Sequence, residues 1–157
     1  IGTVGNEEKA KRARENGCED IIFYDTENIA ERVKDITKGE GVDVVFDGVG
    51  KSTWLASLDS LKPRGTLVSF GNASGPVTDV DLGLLALKGS LYVTRPTLMH
   101  YYISAEEKRV GTKALFDFIK DYGADIHIGQ RFDLKDAAQA HIALESRQTT
   151  GSTILIP

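Results

Sequence analysis

Between Val42 and Gly71 the chain reads as strand, glycine turn, helix, turn, strand, and no other stretch constrains the fold as strongly. Val42-Asp43-Val44-Val45-Phe46-Asp47 is a short, mostly apolar run of the kind buried in a parallel sheet, and Gly48-Val49-Gly50 follows at once. Ser52 and Thr53 are placed to cap a helix carrying Leu55, Leu58 and Leu61 at helical spacing. Lys62-Pro63-Arg64-Gly65 stops that helix before a second strand, Thr66-Leu67-Val68-Ser69-Phe70-Gly71. In a doubly wound sheet ligands bind outside the carboxyl ends of the strands, so Asp47 to Gly50 and Phe70 to Ala73 are where a cofactor is expected.

The same unit precedes this one. Ile1-Gly2-Thr3-Val4 reads as a strand, Gly5-Asn6 as a turn, and Glu7 to Asn16 as a charged helix ended by Gly17 in the left-handed conformation. Ile21-Ile22-Phe23-Tyr24 is the next strand. Thr26 or Asn28 then caps a helix with Ile29, Val33 and Ile36 on one face, closed by Lys38-Gly39-Glu40-Gly41. Repetition of strand and helix up to Gly71 predicts an α/β fold with a parallel sheet and four strands by Phe70. Further on, the pattern predicts a short helix over Leu82 to Leu87 and a strand over Ser90 to Thr94, ended by Arg95-Pro96. A long helix is expected over Ala105 to Tyr122, capped from Ser104, with Leu115, Phe116 and Ile119 inward. Gln130-Arg131-Phe132 leads into a last helix, Asp133 to Ser146, and Thr153-Ile154-Leu155-Ile156 is a terminal strand.

At 157 residues, 41% hydrophobic and 27% charged, the chain has the size and composition of one soluble globular domain. A net charge of −4 with no basic stripe excludes nonspecific nucleic-acid binding. Cys18 is the single cysteine, which rules out an internal disulfide and a cysteine zinc cluster; it reads as a small apolar residue at a helix end. With no apolar run of membrane length, the expected setting is the cytoplasm. A strand already in progress at Ile1 suggests a piece of a longer polypeptide.

A dinucleotide site normally needs a glycine-rich turn between its first strand and helix, where backbone N–H groups hold the pyrophosphate. No such motif is present, and Gly48-Val49-Gly50 alone is a tight turn after a strand. The ribose position is more telling. NAD-selective sheets place an acid at the end of the second strand, whereas absence of the acid with a cation nearby favours a 2′-phosphate. If Ile1 to Val4 is that strand, it ends in Gly5-Asn6 and is followed by Lys9. Lys9 has two readings, a solvated helix-surface residue or a flexible point charge that reaches a phosphate.

Thr3-Val4-Gly5-Asn6-Glu7-Glu8-Lys9, Val45-Phe46-Asp47-Gly48-Val49-Gly50, Leu61-Lys62-Pro63-Arg64-Gly65, Val68-Ser69-Phe70-Gly71-Asn72-Ala73-Ser74-Gly75 and Gly89-Ser90-Leu91-Tyr92-Val93-Thr94-Arg95-Pro96 stand in an order that resembles a known family. They are similar to the zeta-crystallin-like NADPH:quinone oxidoreductases of the medium-chain dehydrogenase/reductase superfamily. The resemblance runs from Ile1 to Pro157. It implies a Rossmann-type doubly wound parallel sheet that lacks its first strand and glycine-rich loop. Residues 1–157 would form a partial cofactor-binding domain whose C-terminal segment returns to an absent N-terminal catalytic lobe.

By this resemblance Lys9, Tyr24 and Arg147 match positions around the 2′-phosphate and adenosine end of NADPH, with Gly5 the backbone turn beside them. Gly48 matches a position lining the adenosine ribose, where family members often carry serine or asparagine. Phe70, Gly71, Asn72 and Ala73 match the loop beside the nicotinamide, and Val93, Thr94 and Arg95 the segment whose backbone holds the carboxamide. From the residues alone, Tyr24 reads equally as a strand-end packing residue, Phe70 as a core aromatic and Arg147 as a cation at a helix C-terminus.

The resemblance further implies hydride transfer from NADPH to a quinone or conjugated carbonyl, without a metal and with no catalytic acid or base in this chain. It also implies a homodimer through the Leu91 to Thr94 edge strand. His100, His127 and His141 show no metal-ligand spacing. Two rivals remain: a zinc-dependent alcohol dehydrogenase of the same superfamily, and a non-catalytic nucleotide-binding protein with a Rossmann core. In the strand order 3-2-1-4-5-6, absence of strand 1 leaves a gap between Ile1 to Val4 and Val42 to Asp47.

Overall fold

The computed structural model describes residues 1–123, 126–146 and 149–157. The chain divides into two compact units, Ile1–Ala105 and Glu106–Pro157.

In the first unit β1 (Gly2–Val4) pairs in parallel with β2 (Ile21–Phe23), Thr3 opposite Ile22. A second group holds β3 (Val42–Asp47), β4 (Leu61–Ser69) and β5 (Tyr92–Thr94), all parallel, with β4 in the centre. Register places Asp47 opposite Ser69 and Val68 opposite Thr94, so the carboxyl ends of these strands lie together. Between them run α1 (Glu7–Glu15), α2 (Ile29–Ile36), α3 (Trp54–Asp59) and α4 (Gly83–Leu87); α5 (Leu98–Tyr101) follows β5. The parallel strands with crossover helices are a Rossmann-type α/β fold, as the sequence predicts.

Local chemistry explains the helix ends. Asn6 caps α1 by accepting a hydrogen bond from Lys9 N–H at 2.9 Å, and Gly17 follows the helix at φ +86°. Of the two candidate caps for α2, Asn28 is the one used, its Oδ1 accepting from Glu31 N–H. Thr53 stands at the N-cap of α3, but its side chain makes no capping bond and turns to Asp47 instead. The helix stops at Asp59, earlier than predicted, and Leu61 already belongs to β4. Lys62 to Gly65 do not end a helix. They form a bulge within β4, between the pairs Val42–Leu61 and Val44–Thr66, and a bulge tolerates Pro63 and the positive φ of Arg64.

The core of this unit sits on β4, where Leu58, Leu61, Leu67 and Leu91 are buried and Val42, Val45, Trp54 and Leu85 pack against them. Each fully buried leucine contributes about 1.5–3 kcal/mol relative to exposure. On the far side of β3 the packing ends. β1 and β3 are not paired with each other, and a slot of about 350 Å³ lies between Ile1 to Thr3 on one flank and Val42 to Val49 on the other, with Ile29 and Val33 among its walls. The gap expected from the strand order is therefore present. It also overturns the reading of β3 as fully buried: Phe46, which lines the slot, is 73% exposed.

In the second unit β6 (Ile128–Asp133) pairs in parallel with β7 (Ser152–Ile156), Phe132 opposite Leu155. β6 was missed by the sequence reading, which ran Gln130-Arg131-Phe132 into a helix. A 3₁₀ turn over Leu134–Asp136 separates it from α7 (Ala137–Glu145). The long helix α6 spans Ala105–Tyr122 as predicted. Its Leu115 and Phe116, expected inward, are exposed.

Candidate functional site

Three adjacent strands of the first unit end side by side, and the turns that leave them are tied into one ledge. Asp47, the last residue of β3, organises the first turn. Its Oδ1 accepts from Val49 N–H at 2.7 Å and Gly50 N–H at 3.0 Å, and its Oδ2 from the hydroxyls of Thr53 at 2.8 Å and Ser57 at 2.7 Å. Burial alone pushes this carboxyl up, but the donors Gly50, Ser57, Thr53 and Val49 together outweigh it and hold Asp47 below the usual aspartate range. Gly50 takes φ +89°, and a Cβ there would stand 2.7 Å from Gly75 O, so only glycine fits.

The depressed value gives a pH dependence with a defined sign. A carboxylate more acidic in the folded state contributes its full stability above the unfolded aspartate value of about 3.9 and loses it as pH falls from there through the lower folded value. Denaturant titrations of the wild type should therefore show stability falling across that acidic window, and Asp47→Asn should flatten the fall. An equal slope in both proteins would contradict this assignment.

The turn after β4 is bonded along the first. Phe70 N–H donates to Asp47 O at 2.9 Å, Ala73 N–H to Gly48 O at 3.3 Å, Ser74 N–H to Val49 O at 2.8 Å, and Lys51 N–H returns to Gly75 O at 3.1 Å. Contact is closest at Gly71, where no side chain fits, while a side chain at Gly48 would have to shift the Phe70 ring. A Cβ on Gly71 would stand 2.7 Å from Gly48 Cα, and one on Gly48 would press to 3.0 Å from the Phe70 ring. Phe70, over half exposed, is thus not a core aromatic but a ring laid on the β3 turn.

Arg95 fastens the ledge from the β5 side. Its Nη1 donates to Ser69 O at 3.1 Å, Ser69 Oγ at 3.2 Å and Gly71 O at 3.0 Å. With the Asn72 amide oriented to satisfy both its ends, Nη2 donates to Asn72 Oδ1 at 3.2 Å and Asn72 Nδ2 to Gly71 O at 2.8 Å. Beneath lies a hollow of about 500 Å³, walled by Trp54, Val77, Leu85 and Val93 and closed at its polar end by Asn72 and Arg95.

At the end of β1 and β2 the structure brings Gly5 and Tyr24 together: a Cβ on Gly5 would stand 2.6 Å from the Tyr24 hydroxyl. Lys9 is on the first turn of α1, immediately beyond this contact, beside Glu7 and Glu8; Glu7 is paired with Arg14 at 2.9 Å. The sequence-predicted residues therefore fall into two groups of one unit, Gly5, Lys9 and Tyr24 at β1 and β2, and Gly48, Phe70 to Ala73 and Val93 to Arg95 at β3 to β5. Arg147 lies outside the described residues. Asp47 opens the stretch where the sequence places a cofactor, but the sequence reading gives its side chain no role. Its signal was available: an aspartate at a strand end, two glycines directly after it, and hydroxyls at Thr53 and Ser57 on the following helix.

A family model described as zinc-binding dehydrogenase matches residues 1–112. The whole chain is 54% identical to a quinone oxidoreductase of Pseudomonas aeruginosa, covering 48% of that protein. It is 47% identical to a 2-haloacrylate reductase of Burkholderia sp, again over the whole chain and 47% of the relative. Among solved structures, the quinone oxidoreductase of Escherichia coli complexed with NADPH superposes with a TM-score of 0.96 at 49% identity, over the whole chain and 49% of that protein. The chain thus spans about half the length of the relatives it matches. Among the described residues no three of His, Cys, Asp and Glu cluster as metal ligands, so these residues do not form a zinc site. Fold, ordered motifs and family match agree: the chain belongs to the zinc-binding dehydrogenase family of medium-chain dehydrogenase/reductases.

Proposed function

We propose that this chain is the NADPH-binding part of a zinc-independent oxidoreductase that reduces quinones or related conjugated carbonyls. The observation that carries the reading is the ledge at the ends of β3, β4 and β5, a rigid backbone surface where a doubly wound sheet binds its cofactor. Identity with a relative solved as an NADPH complex supports the choice of cofactor. A quinone oxidoreductase and a haloacrylate reductase share an electron-poor conjugated system as substrate, which supports the substrate class.

NADPH, when bound, supplies the hydride. Gly5, Lys9 and Tyr24 hold its phosphate-bearing end: Gly5 leaves room beside the Tyr24 hydroxyl, and Lys9 provides a point charge. Gly48 lines the ribose side. Phe70 to Ala73 flank the nicotinamide, and the backbone of Val93, Thr94 and Arg95 holds the carboxamide. The Arg95 guanidinium is committed to carbonyls of the neighbouring turn, so its part is to hold the loop.

The slot between β1 and β3 takes a further parallel strand of the complete sheet, which supports a longer polypeptide with its own substrate lobe. Exposed Leu115 and Phe116 on α6 belong to the segment that returns to that lobe. β5 is a sheet edge with Tyr92 62% exposed, which supports a homodimer built edge to edge. Among the described residues no helix is long and apolar enough to cross a membrane, and Cys18 is unpaired in any disulfide, in keeping with a cytoplasmic enzyme.

The full-length protein, mixed with NADPH and a simple benzoquinone, is expected to consume NADPH in step with quinone loss. A protein that binds NADPH yet turns over neither quinones nor conjugated carbonyls would be a nucleotide-binding protein instead.

A further inference from the structure

We infer that Asp47 is a positioning residue for cofactor binding: through its Oδ1 it sets the backbone of the Gly48 turn, and through that turn the loop beside the nicotinamide. The inference rests on the proposed NADPH site.

Asp47 is 6% exposed, and both of its oxygens are fully engaged within the chain, so it touches no ligand itself. Its two oxygens do different work. Oδ1 holds the N–H groups of Val49 and Gly50, and so decides where the carbonyls of Gly48 and Val49 point. Those carbonyls accept from Ala73 N–H and Ser74 N–H, and the Asp47 carbonyl accepts from Phe70 N–H. The bonds from Ala73 and Ser74 to the β3 side therefore end on carbonyls of the turn that Oδ1 shapes, next to the strand bond from Phe70 to Asp47 O. Oδ2 faces the other way, to Thr53 and Ser57 on α3, and ties the carboxylate to the helix. A group that only tethered the helix would need Oδ2 alone.

The geometry, not the charge, is what the turn requires. Asparagine keeps an acceptor oxygen for Val49 and Gly50, and its amide donates to the two hydroxyls, which have lone pairs to accept. Glutamate keeps the charge but adds a methylene in a buried place and cannot leave its oxygen where Val49 and Gly50 both reach it.

The test uses the full-length protein and titration with NADPH, alongside thermal unfolding and steady-state kinetics. Asp47→Ala and Asp47→Glu are expected to bind NADPH at least tenfold more weakly, with KM for NADPH raised and kcat held within about threefold. Asp47→Asn should bind within threefold of wild type, and so should Thr53→Val, which leaves the Oδ1 bonds intact. If Asp47→Ala does not fold, the contrast between Asp47→Glu and Asp47→Asn decides. Folded Asp47→Ala or Asp47→Glu proteins that bind NADPH as wild type does, whatever their melting temperatures, would reduce Asp47 to a tether for α3 and overturn the inference. Failure of the wild type itself to bind NADPH would instead overturn the proposed function.

Discussion

Gly71→Ala is expected to separate the two turns of the ledge and to cost both stability and cofactor affinity. The added methyl group would stand 2.7 Å from Gly48 Cα and closer still to Gly48 O. Those are backbone atoms in a turn held by Asp47, with no flexible side chain to move aside. Overpacking of this kind costs about 1–3 kcal/mol where the surroundings can shift, and more where they cannot. Relief requires breaking Phe70 N–H to Asp47 O or Ala73 N–H to Gly48 O, which moves the loop assigned to the nicotinamide. Urea unfolding should show the loss of stability, and NADPH titration of the full-length protein an affinity at least tenfold lower. An alanine variant with wild-type stability would show that the turns are not in contact.

Leu67→Ala should cost more stability and touch the chemistry less. Leu67 is fully buried at the centre of β4, opposite Val45 on one side and Val93 on the other, and packs with Leu58, Leu61 and Leu91. Truncating such a leucine removes its transfer free energy and leaves a cavity, together about 2–5 kcal/mol. The midpoint of urea unfolding should fall with little change in slope. A loss below about 1 kcal/mol would mean that the core lies elsewhere than on β4.

The order of elements in the first unit was legible because each signal there is local. Asn6 and Asn28 cap helices, Gly17 ends one, and apolar runs mark the strands. Failures came where neighbours outweigh local pattern. Leu61 has helical spacing from Leu58, yet pairing with Val42 claims it for β4. Lys62-Pro63-Arg64-Gly65 has the composition of a helix stop, but it is a bulge that sheet register accommodates. Gln130-Arg131-Phe132 carries little strand signal of its own and becomes β6 only because β7 pairs with it. Leu115 and Phe116 were placed inward on periodicity alone, which marks an apolar face without saying what covers it.

The candidate site was legible in outline for a related reason. Strand ends and glycine turns pointed to Gly48 and to Phe70 through Ala73, and the end of β1 in Gly5-Asn6 instead of an acid pointed to Lys9. What the sequence did not reveal was that Arg95 spends its side chain on backbone groups of the turn after β4. Its bonds depend on register between β4 and β5, a relation between residues far apart in the chain, whereas those of Asp47 to Val49 and Gly50 are local.

The central claim, a phosphate-selecting cofactor site at the ends of β1 and β2, is tested most directly by titrating the full-length protein with NADPH and with NADH, wild type beside Lys9→Ala. A charged hydrogen bond to the 2′-phosphate is worth about 1.5–3 kcal/mol. The account therefore predicts that wild type binds NADPH more tightly than NADH, and that Lys9→Ala weakens NADPH by about tenfold or more while leaving NADH unchanged. Equal affinity of the wild type for both cofactors would contradict it.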